Sequence, residues 1–432
     1  MYWDRDKECM DREELEQTQF ERLQSTLNRV YAHVPFYRKK FDREGITPES
    51  VESLSDIVRL PFTTKEDVLA NYPYGLFAVP LREVVRIHSS SSTTGTSVVG
   101  YTRNDLKTWS SLVARVLTAG GVTKDDVVQV SLGYGLFTGG FGLHYGAERV
   151  GASVIPASSG NTARQIQIMR DFKTTALVST PSYAMLIADT IREMGIPVSA
   201  LSLRYGLFGA EPWSERMRQR IQEALGIIAT DNYGISAVLG PGIAGECMER
   251  KGLHLHEDHF LAEVIDPETL KPLPAGEQGE LVLTTLTKEA FPMIRYRTRD
   301  LTRLLPENCR CGRTGRRMSR VTGRTDDMLI IRGVNVFPSQ VESLLHEVAG
   351  GESAFQLVVD RKGPMDEATL LVEAGADPSF EWERRQTGVL AEAIRKRLAH
   401  DLGIALEVKL AGEGTLERVE GKVRRVVDRR ML

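Results

Sequence analysis

Several short stretches of this chain carry residue types that could handle phosphate, ribose and a flat ring. Ser89 to Gly100 reads SSSSTTGTSVVG, a run of hydroxyls ending at Gly95. Side-chain O–H groups and backbone N–H groups in such a run can both donate to a phosphate, although a Ser-rich turn has the same composition. It is not a Walker loop, because GxxxxGK[ST] is absent. Asp231 to Gly242, DNYGISAVLGPG, puts an aromatic, a glycine and a serine at a strand end. Tyr233 can stack on a ring there, with the Gly234 backbone beside it; a plain Gly-containing strand exit is the alternative. In YRTRDL, Asp300 ends an alternating strand, where a carboxylate can accept two ribose hydroxyls. An ion pair with Arg297 or Arg299 would use the same group. Lys422 follows a glycine in VEGKVRR and can bring an ammonium to a phosphate, or stand as a solvated charge. Gly323 to Glu342, GRTDDMLIIRGVNVFPSQVE, places Arg324 and two carboxylates in a turn between folding units, which reads as a hinge.

The cysteines suggest different chemistry. There are four, Cys9, Cys247, Cys309 and Cys311. In a reducing cytoplasm they are not expected to pair as disulfides. Cys247, His254, Cys309 and Cys311 make up three thiols and an imidazole, a structural zinc set. The spacing departs from CxxC, and buried thiols with a loop histidine remain the alternative. His256 and His259 are spare ligand candidates, with His259 in a strand pattern and so expected to be structural.

These groups need a scaffold. A chain of 432 residues is too long for one core, so two or three domains are expected. A net charge of −3 gives no field that would collect nucleic acid or membrane. No apolar run is long enough to span a bilayer, and the charged N-terminus lacks a signal core, so a cytoplasmic protein is expected. Residues 11–40 carry apolar positions at helical spacing. A strand at 84–88 is expected to run into a polar loop at 89–97. Between 101 and 230, apolar runs at 127–133, 152–158, 176–180 and 205–210 alternate with helical patterns at 162–172 and 214–225. That alternation predicts a mainly parallel, doubly wound sheet. Residues 254–305 read as an antiparallel unit, and a smaller unit follows 327. The expected fold is α/β: a large N-terminal domain, residues 1–325, with mainly parallel sheets plus an antiparallel unit, and a small α+β lid, 326–432.

Taken in order along the chain, these segments resemble the adenylate-forming enzymes, and within them the phenylacetate–CoA ligase branch. The resemblance runs from the first helix to Lys422 and is carried by YGLFTGGFGLHYGAE (134–148), GLFGAEPW (206–213), DNYGIS, GPGIAGEC, YRTRDL and the Gly323–Glu342 segment. It implies that Ser90, Ser91, Ser92, Thr93 and Thr94 hold the ATP β- and γ-phosphates. Ala210, Glu211 and Pro212 would flank the adenine, with Tyr233 stacked on it and Asp231 and Gly234 alongside. Ser236 would lie by the α-phosphate, Asp300 would hold the ribose, and Arg324 would reach ribose or phosphate. Lys422 would bridge substrate carboxylate and α-phosphate, and Asp326 would be the pivot. Arg332 and Gly333 would meet coenzyme A. Some relatives carry a similar Cys/His set, and homodimerisation is a family-level expectation.

Three positions depart from the family pattern. Ser92 stands where a glycine is usual, and Thr96 where many members have lysine. Ala237 replaces the glutamate that helps hold Mg²⁺, leaving phosphates, water or another acid such as Glu246 to do so. Tyr134, Phe137, Phe141, Ile235 and Ile243 are apolar and near the implied site, and an aryl ring suits them, with ordinary core the alternative for Phe137 and Phe141. Ala237 leaves room beside them. The expected activity is therefore an ATP-dependent aryl acid–CoA ligase, on a phenylacetate- or benzoate-type acid including aminobenzoate. A stand-alone enzyme loading a carrier protein, and a nucleotide binder with impaired catalysis, are the rivals.

Overall fold

Apolar runs of four or five residues, too short for helices, become strands between amphipathic helices in this chain. The computed structural model describes residues 1–92, 95–325, 329–331, 334–336, 338–349, 353–362, 365–373, 381–412, 414–416, 418–419, 422–423 and 425–429. Thr93, Thr94, Asp326, Arg332 and Gly333 lie outside the described residues. Contacts divide the chain into two units, Met1–Val321 and Thr322–Leu432, a boundary that falls ahead of Asp326.

The first unit is organised on a nine-stranded sheet. Strands Ser153–Ile155, Val127–Val130, Ala176–Ser179, Tyr205–Gly209 and Ile228–Ile235 lie side by side in parallel. Gly240–Glu246 then runs antiparallel to Ile228–Ile235, and Leu253–Leu255 continues the sheet. The parallel part is the doubly wound sheet that the alternation predicts. One apolar cluster contains Ile166, Ile187, Phe208 and Ile221, and a second contains Leu23, Trp109, Val128 and Leu281. Every residue of Ala176–Ser179 is buried, as a strand covered on both faces requires.

Three expectations change. The helix over 11–40 is two helices, Arg12–His33 and Pro35–Arg43, because Pro35 cannot donate to a preceding turn and takes a first-turn position instead. The serine run is not a loop. Arg86–Ser92 pairs antiparallel with Gly95–Tyr101 along its whole length, Arg86 facing Tyr101 and Ser92 facing Gly95. The partner strand carries buried Val99 and Tyr101, and its pairing draws the hydroxyl run into register. The antiparallel unit is also smaller than expected. Leu253–Leu255 joins the main sheet, while Phe260–Ile265, Gly279–Thr285 and Tyr296–Thr302 form the antiparallel strands.

Helix Thr138–Val150 lies unusually close to helix Arg103–Ala119. A Cβ on Gly146 would come within 2.3 Å of Val113 Cγ1, and one on Gly142 within 2.5 Å of Trp109. The glycines of that run thus serve close helix approach.

Within Thr322–Leu432, strands Glu407–Ala411, Met365–Glu373, Phe355–Lys362 and Val426–Asp428 form a four-stranded sheet. Helices Pro338–Ala349 and Glu381–Leu402 share its core, which contains Leu345, Leu357, Leu370 and Leu398. No described helix is long and apolar enough to cross a membrane.

Candidate active site

The carboxyl ends of parallel strands are where open α/β sheets bind ligands. Strand Tyr205–Gly209 ends there at Ala210, whose φ of +68° lies in the left-handed region. For alanine this conformation costs about 1–2 kcal/mol. The neighbouring strand enforces it: Asn232 Nδ2 donates to Phe208 O at 2.7 Å, and a Cβ on Gly209 would strike Asn232 O at 2.4 Å. Glu211 then accepts the Ser182 N–H at 2.6 Å, in the first turn of helix Pro181–Glu193.

Strand Ile228–Ile235 carries the second group. Tyr233 donates its hydroxyl to Asp300 Oδ2 at 2.5 Å, joining two motifs far apart in sequence. Asp300 is 6% exposed, in strand Tyr296–Thr302, and its N–H donates to Thr298 Oγ1 at 3.1 Å. The turn after Ile235 is tight: Val238 N–H donates to Ile235 O at 3.0 Å, and a Cβ on Gly234 would meet Gly240 O at 2.1 Å. Two outside side chains hold it, Tyr101 donating to Leu239 O at 2.7 Å and Trp109 Nε1 to Pro241 O at 2.7 Å. Ser236 Oγ lies 2.8 Å from Thr138 Oγ1, and Ala237 is buried.

Asp231 is buried two residues before Tyr233, and burial, with Glu246 close by, pushes its carboxyl up to about 7. Glu246 corrects an expectation. It is 2% exposed, pairs with Arg218 at 2.7 Å and accepts the Asp231 N–H at 2.8 Å, so it is a structural carboxylate and no free magnesium ligand.

The aryl-pocket candidates divide. Tyr134 and Phe141 meet edge to face at 5.3 Å, and Tyr134 Oη lies 3.2 Å from His144 Nδ1. Ile235 is half-buried, whereas Ile243 is fully buried in the main core. Sequence reasoning missed Arg86 and His88. The Arg86 guanidinium lies 5.4 Å from the Phe141 ring and 4.6 Å from that of Tyr145, and His88 packs against Tyr101, Trp109 and Phe141. Their signal is faint: alternation in the strand before the serines, plus ring positions 141, 144 and 145 on one helical face. Ser90, Ser91 and Ser92 are placed by strand backbone, as is Lys422, opposite Val419 in the second unit. Arg324 is half-buried in strand Gly323–Arg324.

The cysteine set converges. Strand pairing sets His254 opposite Gly245 and Arg317, which brings the 309–311 segment to Cys247. Cys247 Sγ lies 3.7 Å from Cys309 Sγ, and Cys311 Sγ 3.5 Å from His254 Nε2. All four donor atoms lie within 4.8 Å of one another. Tetrahedral zinc bonds of about 2.3 Å to sulfur and 2.0–2.1 Å to nitrogen would set S···S near ~3.8 Å and S···N near ~3.6 Å. The observed pairs fit that geometry. The spare histidines have other roles: His256 Nδ1 contacts Gly242 O at 2.8 Å, and His259 contacts Thr287 and Asp258 at 2.7 and 3.2 Å.

Comparison with known proteins gives the context. A family model described as AMP-binding enzyme matches residues 90–286, and one described as AMP-binding enzyme C-terminal domain matches residues 333–430. The chain is 48% identical over 439 residues to a phenylacetate-coenzyme A ligase of Pseudomonas putida, covering 100% of this chain and 99% of the relative. It is 49% identical over 421 residues to a phenylacetate-coenzyme A ligase of Escherichia coli (strain K12), covering 97% and 95%. Among solved structures it is similar to 2-hydroxyisobutyryl-CoA ligase in the postadenylation state with 2-HIB-AMP. That match has a TM-score of 0.88 at 29% identity, over 99% of this chain and 92% of the other.

Proposed function

Because the chain belongs to the AMP-binding enzyme family, within its phenylacetate–coenzyme A ligase branch, it is an AMP-forming acid–thiol ligase, and we propose here which of its residues perform each step. The acid is an aromatic carboxylic acid, activated by ATP as the acyl-adenylate and passed to coenzyme A. The observation that carries the residue assignment is the contact between Tyr233 and Asp300, which brings a ring for the adenine and a carboxylate for the ribose to one place.

In the first half-reaction a substrate carboxylate oxygen bonds to the α-phosphorus of ATP, and the bond to pyrophosphate breaks. Both reactants are anions, so orientation and positive charge supply the catalysis. Lys422 would bridge the two, with Arg324 on ribose or phosphate and the hydroxyls of Ser90 to Thr94 on the β- and γ-phosphates. Ser236, braced by Thr138, would lie by the α-phosphate. In the second half-reaction the thiolate attacks the acyl carbonyl and AMP leaves. Rotation about Asp326 would withdraw Lys422 and open the thiol path, with Arg332 and Gly333 meeting coenzyme A.

Magnesium bound with ATP would offset phosphate charge. Ala237 offers it no ligand and Glu246 is held by Arg218, so phosphates and water would complete its shell. We assign structural zinc to Cys247, His254, Cys309 and Cys311 on their tetrahedral separations. A cytoplasmic homodimer completes the proposal; the thiols suit a reducing compartment, and sedimentation equilibrium giving monomer mass would remove the dimer.

The test is a panel of phenylacetates and benzoates with ATP, coenzyme A and Mg²⁺, read by pyrophosphate release and thioester mass. Thioester from at least one aryl acid is expected, with a weaker Mg²⁺ response than Ala237→Glu shows. Pyrophosphate release without thioester would favour a carrier-protein acceptor, and an Ala237→Glu protein indistinguishable from wild type would remove the metal reading.

A further inference from the structure

A hydrogen-bond chain runs from one face of helix Thr138–Val150 to Tyr134, a candidate aryl-pocket residue ahead of the helix. Glu148 Oε1 lies 3.2 Å from His144 Nε2, an i,i+4 pair, and His144 Nδ1 lies 3.2 Å from Tyr134 Oη. Direction along the chain follows from what each group can do. An ionised carboxylate only accepts, so the Nε2–H of His144 donates to Glu148. A neutral imidazole has one N–H, which leaves Nδ1 a bare acceptor. With His144 neutral, the Tyr134 O–H donates to Nδ1. Burial raises the Tyr134 phenol above its ordinary range, so it keeps that proton. The phenol oxygen is then left with lone pairs alone for anything else that approaches it.

We propose that the Glu148–His144–Tyr134 chain makes Tyr134 a hydrogen-bond acceptor in the aryl pocket, and that the enzyme therefore prefers aromatic acids bearing a donor, an amino or hydroxyl group, on the ring. The proposal rests on the aryl acid–CoA ligase reading and on Tyr134 lining the pocket. His144 is a positioning residue in this scheme. It touches no substrate and sets which end of the phenol dipole faces the pocket. An unsubstituted ring is tolerated, because Tyr134 already has a partner for its proton. A ring substituent that only accepts, such as methoxy, sets lone pair against lone pair. Arg86, stacked on Phe141 and Tyr145, adds positive charge beside the same rings and does not favour a cationic substituent, which fits a neutral amino or hydroxyl group.

The experiment compares kcat/KM for amino- and methoxy-substituted phenylacetates and benzoates at matched ring positions, with the unsubstituted acids as reference and coenzyme thioester as product. A hydrogen bond of this kind has a net strength that corresponds to a preference of about three- to tenfold for the amino acid over the methoxy acid at one ring position. His144→Leu frees the Tyr134 proton for the pocket, so the amino-to-methoxy ratio reverses. Tyr134→Phe removes both polarities, and the ratio falls to what size alone sets. A purely structural role for His144 would lower all substrates together and leave the ratio in place. Tyr134→Phe keeping the wild-type ratio, or wild type showing no amino preference while making aryl thioesters, would overturn the proposal alone. Absence of any aryl thioester would instead bring down the ligase reading beneath it.

Discussion

Lys288 shows how a single side chain can tax this fold. The residue is 4% exposed, and its Nζ lies 3.1 Å from the Tyr101 ring centroid with no hydrogen-bond acceptor among the described residues. Burial pulls it down to about 7, against the opposing pull of Asp105. An unfolded lysine titrates near ~10.4. Between those values the unfolded chain holds a proton that the folded chain does not, so stability falls as pH drops from about 10 to 7 and levels below. Lys288→Met, similar in length and free of that proton, is expected to stabilise the protein, with the gain growing as pH falls through this window to a plateau on the order of a few kcal/mol. Loss of the ring contact, about 2 kcal/mol for a desolvated pair, reduces the net gain. Urea midpoints at pH 7 and pH 10 measure it, and a difference that does not change with pH would contradict the argument.

At the scale of elements, the Cys247–His254–Cys309–Cys311 cluster and the strands that build it make the clearest case. Residue type singled out the candidate ligands, since the set takes three of the four cysteines in the chain and one histidine. How they meet was not legible. Residues 254–305 read as one antiparallel unit, whereas Leu253–Leu255 belongs to the main sheet and carries His254 between Gly240–Glu246 and Arg317–Met318. Metal analysis should find one zinc per chain. Cys309→Ser, or strong chelation, should release it and lower the melting temperature by several degrees, since structural zinc contributes directly to folding. A metal-free protein of unchanged stability would remove the assignment. The parallel strands were legible for a local reason: a strand buried on both faces is a continuous apolar run. The serine strand was not, because its pairing is fixed by Val98, Val99 and Tyr101 across the hairpin rather than by its own side chains. Arg86 and His88 escaped for the same reason: their importance lies in rings some fifty residues away.

At the scale of the molecule, the two units, Met1–Val321 and Thr322–Leu432, divide the labour of the proposed reaction. Tyr233, Asp300, Ser236 and the aryl-pocket residues lie in the first, and Arg324 and Lys422 in the second. Lys422→Ala should therefore slow acyl-adenylate formation by two or more orders of magnitude, an expectation for an electrostatic contact to the developing charge. The same variant, supplied with preformed acyl-adenylate, should make thioester at close to the wild-type rate. Equal loss in both half-reactions would argue against a lysine that serves only the first. The close-packed helix Thr138–Val150 points to how such an enzyme diversifies. Gly142 and Gly146 press against Trp109 and Val113 and tolerate no larger residue, which freezes one side of the helix. Phe141, His144, Tyr145 and Glu148 occupy other positions, engaged with one another, Tyr134 and Arg86 rather than with that seam. Selection can then redraw the list of accepted acids by exchanging residues at those four positions, while the architecture that carries them is inherited intact.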